Sequence, residues 1–195
     1  MDGKNKIAVI NTGFLRTWDK CRENHERNLY TPDTDLFWFT FEDPCYRGQF
    51  LRVPYIWYPA PDAHPYDVNK EPETGVYQAL NMWHNIFVSF CLAPKGYDVY
   101  VRCRPDILFS DRLELQVQAN TVYIPEGNDF RGGVNDQFAY GDYETMKIYF
   151  SLYLSYKEYF NAGVKFHPEA YLRHHMEVNG IRIERIKTTQ WILRP

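Results

Sequence analysis

Short apolar runs alternate along the chain with longer stretches in which apolar positions return every three or four residues. Ile7-Ala8-Val9-Ile10 is a continuous apolar run bounded by Asn11-Thr12-Gly13, which predicts a buried strand ending in a turn. Leu15, Trp18, Cys21, Arg22, His25 and Leu29 lie near one helical stripe from Leu15 to Tyr30, and Pro32 closes it. Leu36 to Phe41 is rich in β-formers and predicts a second strand, ended by Glu42-Asp43-Pro44. Pro44, Pro54, Pro59, Pro61, Pro65 and Pro72 exclude a long helix over the next segment. They predict a winding loop around one short strand, Tyr55 to Tyr58. Between Thr74 and Ala93 the helical period returns, with Val76, Leu80, Trp83, Phe87 and Phe90/Cys91 on one face; Pro94 and Gly96 end it.

Tyr97 to Val101 reads as the third major strand and runs into Arg102-Cys103-Arg104-Pro105-Asp106. Val122 to Ile124 and Gln137 to Tyr140 are further strands, the latter preceded by Gly132-Gly133. Tyr143 to Phe160 reads as one long aromatic helix, and Pro168 to Val178 as another with proline in its first turn. Ile181 to Ile186 is the last strand. This alternation predicts a single α/β domain over residues 1–195, its central sheet mostly parallel and flanked by helices. Ligands of such sheets bind beyond the carboxyl ends of the strands. Three stretches fall there: Asn11-Thr12-Gly13, Glu42-Asp43 and Arg102 to Asp106.

Composition narrows the function classes. With 45% hydrophobic residues in 195, the chain can bury one real core. Its 16 Tyr and 5 Trp exceed what a core needs and suit a sugar or base binder, although many can simply line the core edge. The net charge is −3 and no Lys/Arg cluster exceeds two residues, which argues against nucleic acid and leaves anionic ligands to a few placed arginines. There is no run of 18 apolar residues, and MDGKNK followed by IAVIN lacks the apolar stretch of a signal peptide. A cytoplasmic chain without a membrane span is expected. Cys21, Cys45, Cys91 and Cys103 form no C-x-x-C pair and are expected as reduced thiols.

Four stretches carry candidate chemistry. Arg102, Arg104 and Asp106 alternate along an extension of the third strand and can reach one side of it, with Pro105 stiffening the backbone. Two guanidiniums suit a diphosphate and a carboxylate suits a divalent cation; the same spacing also suits an internal Arg–Asp ion pair. The segment from Glu126 to Gln137 is the densest polar patch, and a solvated hairpin turn is its plain alternative. Asp129, Arg131, Gly132, Gly133, Asn135 and Gln137 offer the mixed donors, acceptors and close backbone approach that sugar hydroxyls need. Asp136 suits a general base if its surroundings raise its pKa. His167, Glu169, His174 and His175 follow, without the H-E-x-x-H spacing of zinc hydrolases. One of these histidines as a metal or phosphate partner competes with the commoner satisfied histidine. Asn11 to Arg16 matches neither G-x-G-x-x-G nor a P-loop, which argues against a dehydrogenase or kinase; Arg16 at a helix start still suits phosphate oxygens.

Taken together, these stretches resemble a family. NTGFLRTWDKCRENHERNL resembles the opening of small GT-A-type glycosyltransferases, which begin with a pattern like S-G-Q-L-R-x-W. YDVYVRCRPDILF resembles their central Y-D-x-x-x-R-x-R-P-D strand, GGVNDQFAYGDYETMKIY their G-G-x-N-D-Q-F-A-x-G block, and HPEAYLRHHMEVNGI their closing P-E-x-x-L-x-x-H segment. The blocks keep the expected order across residues 6–185. Such enzymes build bacterial surface polysaccharides and the glycans of large DNA viruses.

The resemblance implies a GT-A-like fold and transfer of a sugar from a nucleoside diphosphate sugar, a UDP-sugar first, to a glycan acceptor hydroxyl. It places Arg104-Pro105-Asp106 where D-x-D stands, with Asp106 as ligand of Mn²⁺ or Mg²⁺. Arg104 replaces the first acid and takes over part of the charge neutralisation. Thr12, Gly13, Arg16, Arg102 and Arg104 would line the nucleotide diphosphate, and Gln78 and Asn81 would reach its phosphates or sugar. Asp136, with Asp106 and Arg104, would carry the chemistry; His174 or His175 would touch the diphosphate or its metal. Phe14 stands where the pattern has Gln, so no contact from that side chain is carried over. Asp136 serves equally as base, nucleophile or anchor, so inversion and retention both stay open. Two rivals remain: a glycoside hydrolase using Asp106 and Asp136, and a non-catalytic carbohydrate- or nucleotide-binding module. The ending at Leu193-Arg194-Pro195 fits a domain excised from a longer multi-transferase chain.

Overall fold

A computed structural model describes residues 5–15, 17–40 and 76–194, with the backbone alone for 76–78 and Asn81. Arg16, the Glu42-Asp43 turn and the expected strand Tyr55 to Tyr58 lie outside the described residues. In chain order the elements are β1 (Ile7–Gly13), α1 (Trp18–Asn28), β2 (Thr34–Thr40), α2 (Val76–Leu92), β3 (Val99–Cys103), β4 (Ile107–Phe109), β5 (Thr121–Pro125) and β6 (Phe138–Gly141). They continue with α3 (Tyr143–Phe150), α4 (Leu152–Asn161), α5 (Pro168–Val178), β7 (Arg182–Ile186) and β8 (Gln190–Ile192).

Six strands form one sheet in the order β2-β1-β3-β6-β5-β7. β1 lies parallel to β2 and β3, and β5 parallel to β7, while β6 runs antiparallel to both its neighbours. The domain is therefore α/β with a mostly parallel central sheet flanked by helices. Period-two alternation decides which side chain faces which layer. Ala8, Ile10, Tyr100, Val122, Ile124 and Ala139 point into a core shared with α2 to α5. Ile7, Val9, Val99, Val101, Tyr123 and Phe138 point the other way, against Ile107, Phe109 and Leu115. Trp18 and Cys21 of α1 pack on Trp38, with the two indole rings 4.6 Å apart. Much of the aromatic surplus is core: Trp83, Tyr100, Tyr149, Tyr156 and Tyr171 are all fully buried.

Two differences from the expected elements have local causes. The expected helix from Tyr143 to Phe160 breaks at Ser151, whose hydroxyl donates to the Ile148 carbonyl at 2.8 Å and competes with the helical ladder. β4 and β8 pair antiparallel with only three residues each, too short to leave a periodic signal. No helix of the described residues is long and apolar enough to cross a membrane. Cys21, Cys91 and Cys103 are free thiols.

Candidate functional site

The parallel register of β1 and β3 sets Asn11 opposite Cys103, so the two strands end side by side. Gly13 leaves β1 with φ 131°, a conformation that favours glycine, and a Cβ there would touch Pro105 Cδ at 3.6 Å. The first turn therefore rests on Arg104-Pro105-Asp106. Thr12 is buried beside it, and its hydroxyl has no partner among the described residues.

The antiparallel β6 completes the site. Arg102 pairs with Ala139 and Cys103 with Phe138, and the Arg104 N–H donates to the Gln137 carbonyl at 3.2 Å. This register delivers Asp136 to the strand end that carries Arg102 and Arg104. Burial raises the Asp136 carboxyl pKa overall, with the two guanidiniums, Arg102 first, opposing the shift. Tyr149 of α3 faces the same spot: burial raises its hydroxyl, with Arg102 and Asp136 as its charged neighbours.

The two arginines divide the work. Arg102 is 1% exposed and donates from Nη1 to the Gln137 carbonyl. The expected contact of Arg102 with a donor diphosphate meets a buried guanidinium, whose charge acts on the nearby Asp136 carboxylate. Arg104 keeps 23% of its side chain exposed and forks onto Asp106, Nε to Oδ1 at 2.8 Å and Nη2 to Oδ2 at 2.7 Å. Asp106 is 4% exposed and spends both oxygens on that fork.

No family model matches the chain, and no curated protein sequence matches it. In three dimensions it is similar to the glycosyltransferase GlyE of Streptococcus pneumoniae TIGR4, with a TM-score of 0.58 at 10% identity. The likeness is one of fold. The match covers 94% of this chain and 45% of that one, so the chain spans less than half the length of the protein it resembles.

Within this fold, the polar loop before β6 has two parts. Glu126 to Gly132 are exposed and Gly133 to Gln137 are buried, so the loop is not a uniformly solvated turn. Asp129 accepts the Asn135 N–H at 3.0 Å and pairs with Arg185 at 3.0 Å. Asn135 donates to the Gly127 carbonyl and accepts from the Gln137 N–H. Asp129 and Asn135 thus brace the loop, whereas Arg131 and Gly132 stay exposed. Gln137 is buried, with its amide oxygen 3.4 Å from the Gln190 amide. Gly133 presses on the Glu169–Ala170 peptide, where a Cβ would overlap backbone atoms, and the Val134 N–H donates to the Glu169 carbonyl at 3.1 Å.

That contact docks the start of α5 beside Asp136 and brings in His167 and Glu169, which the sequence marked only as part of a histidine-rich stretch. His167 Nδ1 lies 2.6 Å from Glu169 Oε2. Burial, then the neighbouring Asp136 and Asp129, push the Glu169 carboxyl up to about 7. Burial, then Arg131, lower the His167 imidazole. The usable signal was their place at the opening of a helix headed by Pro168, since helix starts and strand ends share one side of an α/β sheet.

His174 and His175 lie roughly one and a half turns further along α5, about 7.5 and 9 Å from Glu169 along the axis. Burial brings the His175 imidazole down to about 4, so it is neutral. Its Nε2–H donates to the Ile148 carbonyl at 2.9 Å and its Nδ1 accepts from the Tyr159 hydroxyl at 2.6 Å. Both ring nitrogens are occupied, which corrects its expected role as a metal or phosphate partner. His174 packs edge-on against Tyr159 at 4.7 Å. Gln78 and Asn81 lie on α2. Among the described residues no three His, Cys, Asp or Glu side chains are grouped to hold a metal ion.

Proposed function

We propose that this chain is a glycosyltransferase domain that moves a sugar from a nucleoside diphosphate sugar to a glycan hydroxyl at the carboxyl ends of β1 and β3. The observation that carries the reading is Arg104. It is a partly exposed guanidinium, fixed in orientation by Asp106, beside buried Asp136 at a strand end of a glycosyltransferase fold. A nucleoside diphosphate leaving group gains charge as its bond to the sugar breaks. A cation already aimed at that charge lowers the barrier without reorganising. Asp106 is then a positioning residue that holds the fork of Arg104.

Mn²⁺ or Mg²⁺, expected on Asp106, fits these residues poorly. Both carboxylate oxygens are taken by a guanidinium whose charge repels a dication, and His175 has no free nitrogen. No step of the reading runs through a metal. The same ion pair counts against a glycoside hydrolase, since Asp106 so held is neither a proton donor nor a nucleophile. Asp136 and the exposed Arg131–Gly132 turn face the sugars, and Thr12 and Gly13 flank the nucleotide.

The test is a thermal-shift panel of UDP, GDP and dTDP sugars, each with Mn²⁺ and with EDTA. One nucleotide class should raise the melting temperature. Binding at 100 times Kd is worth about 2.7 kcal/mol, well within reach of the assay. Arg104→Ala should abolish the shift. Silence from every nucleotide would refute the reading.

A further inference from the structure

Two titratable side chains at the start of α5 sit against Asp136 and have no part in the reading so far. Their placement is built in from two directions. His167 is the extended residue that opens α5, with Pro168 fixing the first turn and Glu169 following it. The Glu169 carbonyl is tied to the Val134 N–H, and Gly133 leaves no space for a side chain between the loop and the helix. Loop and helix start therefore move as one body, and the distance between His167, Glu169 and Asp136 is set by backbone contact.

Within that body the imidazole faces two ways. Nδ1 is buried 2.6 Å from Glu169 Oε2, an ion-pair distance without hydrogen-bond alignment, and neither atom has a hydrogen-bond partner among the described residues. The ring keeps 28% exposure while the Glu169 side chain keeps 12%. The solvent-facing edge is thus left to Nε2, which makes no hydrogen bond among the described residues. Asp136 has a different environment. Burial raises its carboxyl pKa overall, and Arg102 and Arg104 oppose that shift without cancelling it. The imidazole is held neutral by burial and by Arg131, which leaves its lone pair available.

We propose that His167, oriented by Glu169, is the group that accepts the proton of the acceptor hydroxyl, an inference that rests on the glycosyltransferase reading. The acceptor O–H gives its proton to Nε2 as its oxygen bonds to the anomeric carbon of the donor sugar. The bond from that carbon to the diphosphate oxygen breaks, and the electron pair leaves with the diphosphate beside Arg104. The imidazolium so formed is stabilised by the Glu169 carboxyl at its other nitrogen. Asp136 stays with the two arginines and takes no proton in this step. His167 is catalytic in this scheme, and Glu169 is a positioning residue.

Nitrogen-15 NMR of histidine-labelled wild-type protein tests the pairing without any substrate. His167 should be the Nδ1–H tautomer with Nε2 bare, and an Nε2–H tautomer would overturn the pair. The kinetic test uses UDP-, GDP- and dTDP-hexoses with water as acceptor, following nucleotide release. His167→Gln should keep the nucleotide-induced thermal shift yet lose kcat on the order of 10² to 10⁴-fold. Glu169→Gln should fold and bind nucleotide, lose about 10-fold in kcat, and move the acid limb of the kcat–pH profile to lower pH. That shift separates Glu169 from the other charges facing the ring, Asp136, Asp129, Arg131, Arg102 and Arg104, which the variant retains. Wild-type kcat in His167→Gln with the thermal shift intact would overturn the pair and leave the transferase reading standing. A wild type that neither binds nor cleaves any donor would end both.

Discussion

Gly133→Ala probes the contact that assembles the site. The added Cβ would fall roughly 1 Å inside ordinary contact with the Glu169 carbonyl group and the Ala170 nitrogen. All of these are backbone atoms, so no side chain can rotate aside. Either the loop separates from α5, losing the Val134–Glu169 hydrogen bond, or the strain stays in place. Overpacking costs typically ~1–3 kcal/mol, and a collision with backbone on both sides belongs at or above the upper end. Gly132→Ala is the matched control one residue away. Nothing lies within 4 Å of its Cβ, but its φ is 74°, so it carries only the left-handed penalty of ~1–2 kcal/mol. Urea denaturation at pH 7 should place Gly133→Ala about 2 kcal/mol below Gly132→Ala. It should also lose the Nδ1–H signature of His167, because Glu169 moves with the displaced helix start. Equal stability of the two variants would show that loop and helix are not in backbone contact, and the geometry given to His167 and Asp136 would fall with it.

Other consequences follow from the same site and core. Glu169 has a folded-state pKa of about 7, above the 4.5 of the unfolded chain, so the folded chain holds the extra proton and stability falls as pH rises from 4.5 to 7. The full cost above pH 7 is about 3 kcal/mol, so Glu169→Gln should be clearly more stable than wild type at pH 8 and nearly equal at pH 5, by urea denaturation; a constant difference would refute the burial argument. His25 and His175 are lowered to about 4 from 6.5, so the unfolded chain binds protons first and stability is lost as pH falls from 6.5 toward 4. A steep drop in melting temperature between pH 6.5 and pH 4.5 should appear, flattened in His175→Gln. Arg104→Lys keeps a charge but not the fork, and should weaken nucleotide binding about 10-fold in a titration; full affinity would remove the fork from the argument. EDTA should leave nucleotide-induced stabilisation unchanged, whereas an absolute need for Mn²⁺ would show that Arg104 does not neutralise the diphosphate.

Much of the scaffold was legible from local pattern. An apolar run such as Ile7 to Ile10, or the helical stripe from Pro168 to Val178 behind its proline, reports only which side of one element meets the core. That property is written in neighbouring residues. The α/β class and the strand-end placement of Arg104-Pro105-Asp106 follow from it, as does the density of polar residues before Gln137. The long-range choices were not written there. Whether Asp106 stays open or is gripped by Arg104 depends on the backbone turn at Pro105. Whether Arg102 is a surface cation or a buried prop depends on β6 running antiparallel beside β3, which sets Asp136 above it. His167 and Glu169 look like ordinary helix-start residues until Gly133 lets the loop touch the helix. Burial, partner and protonation state are set by groups tens of residues away, and only the packed sheet and helices decide which of them meet.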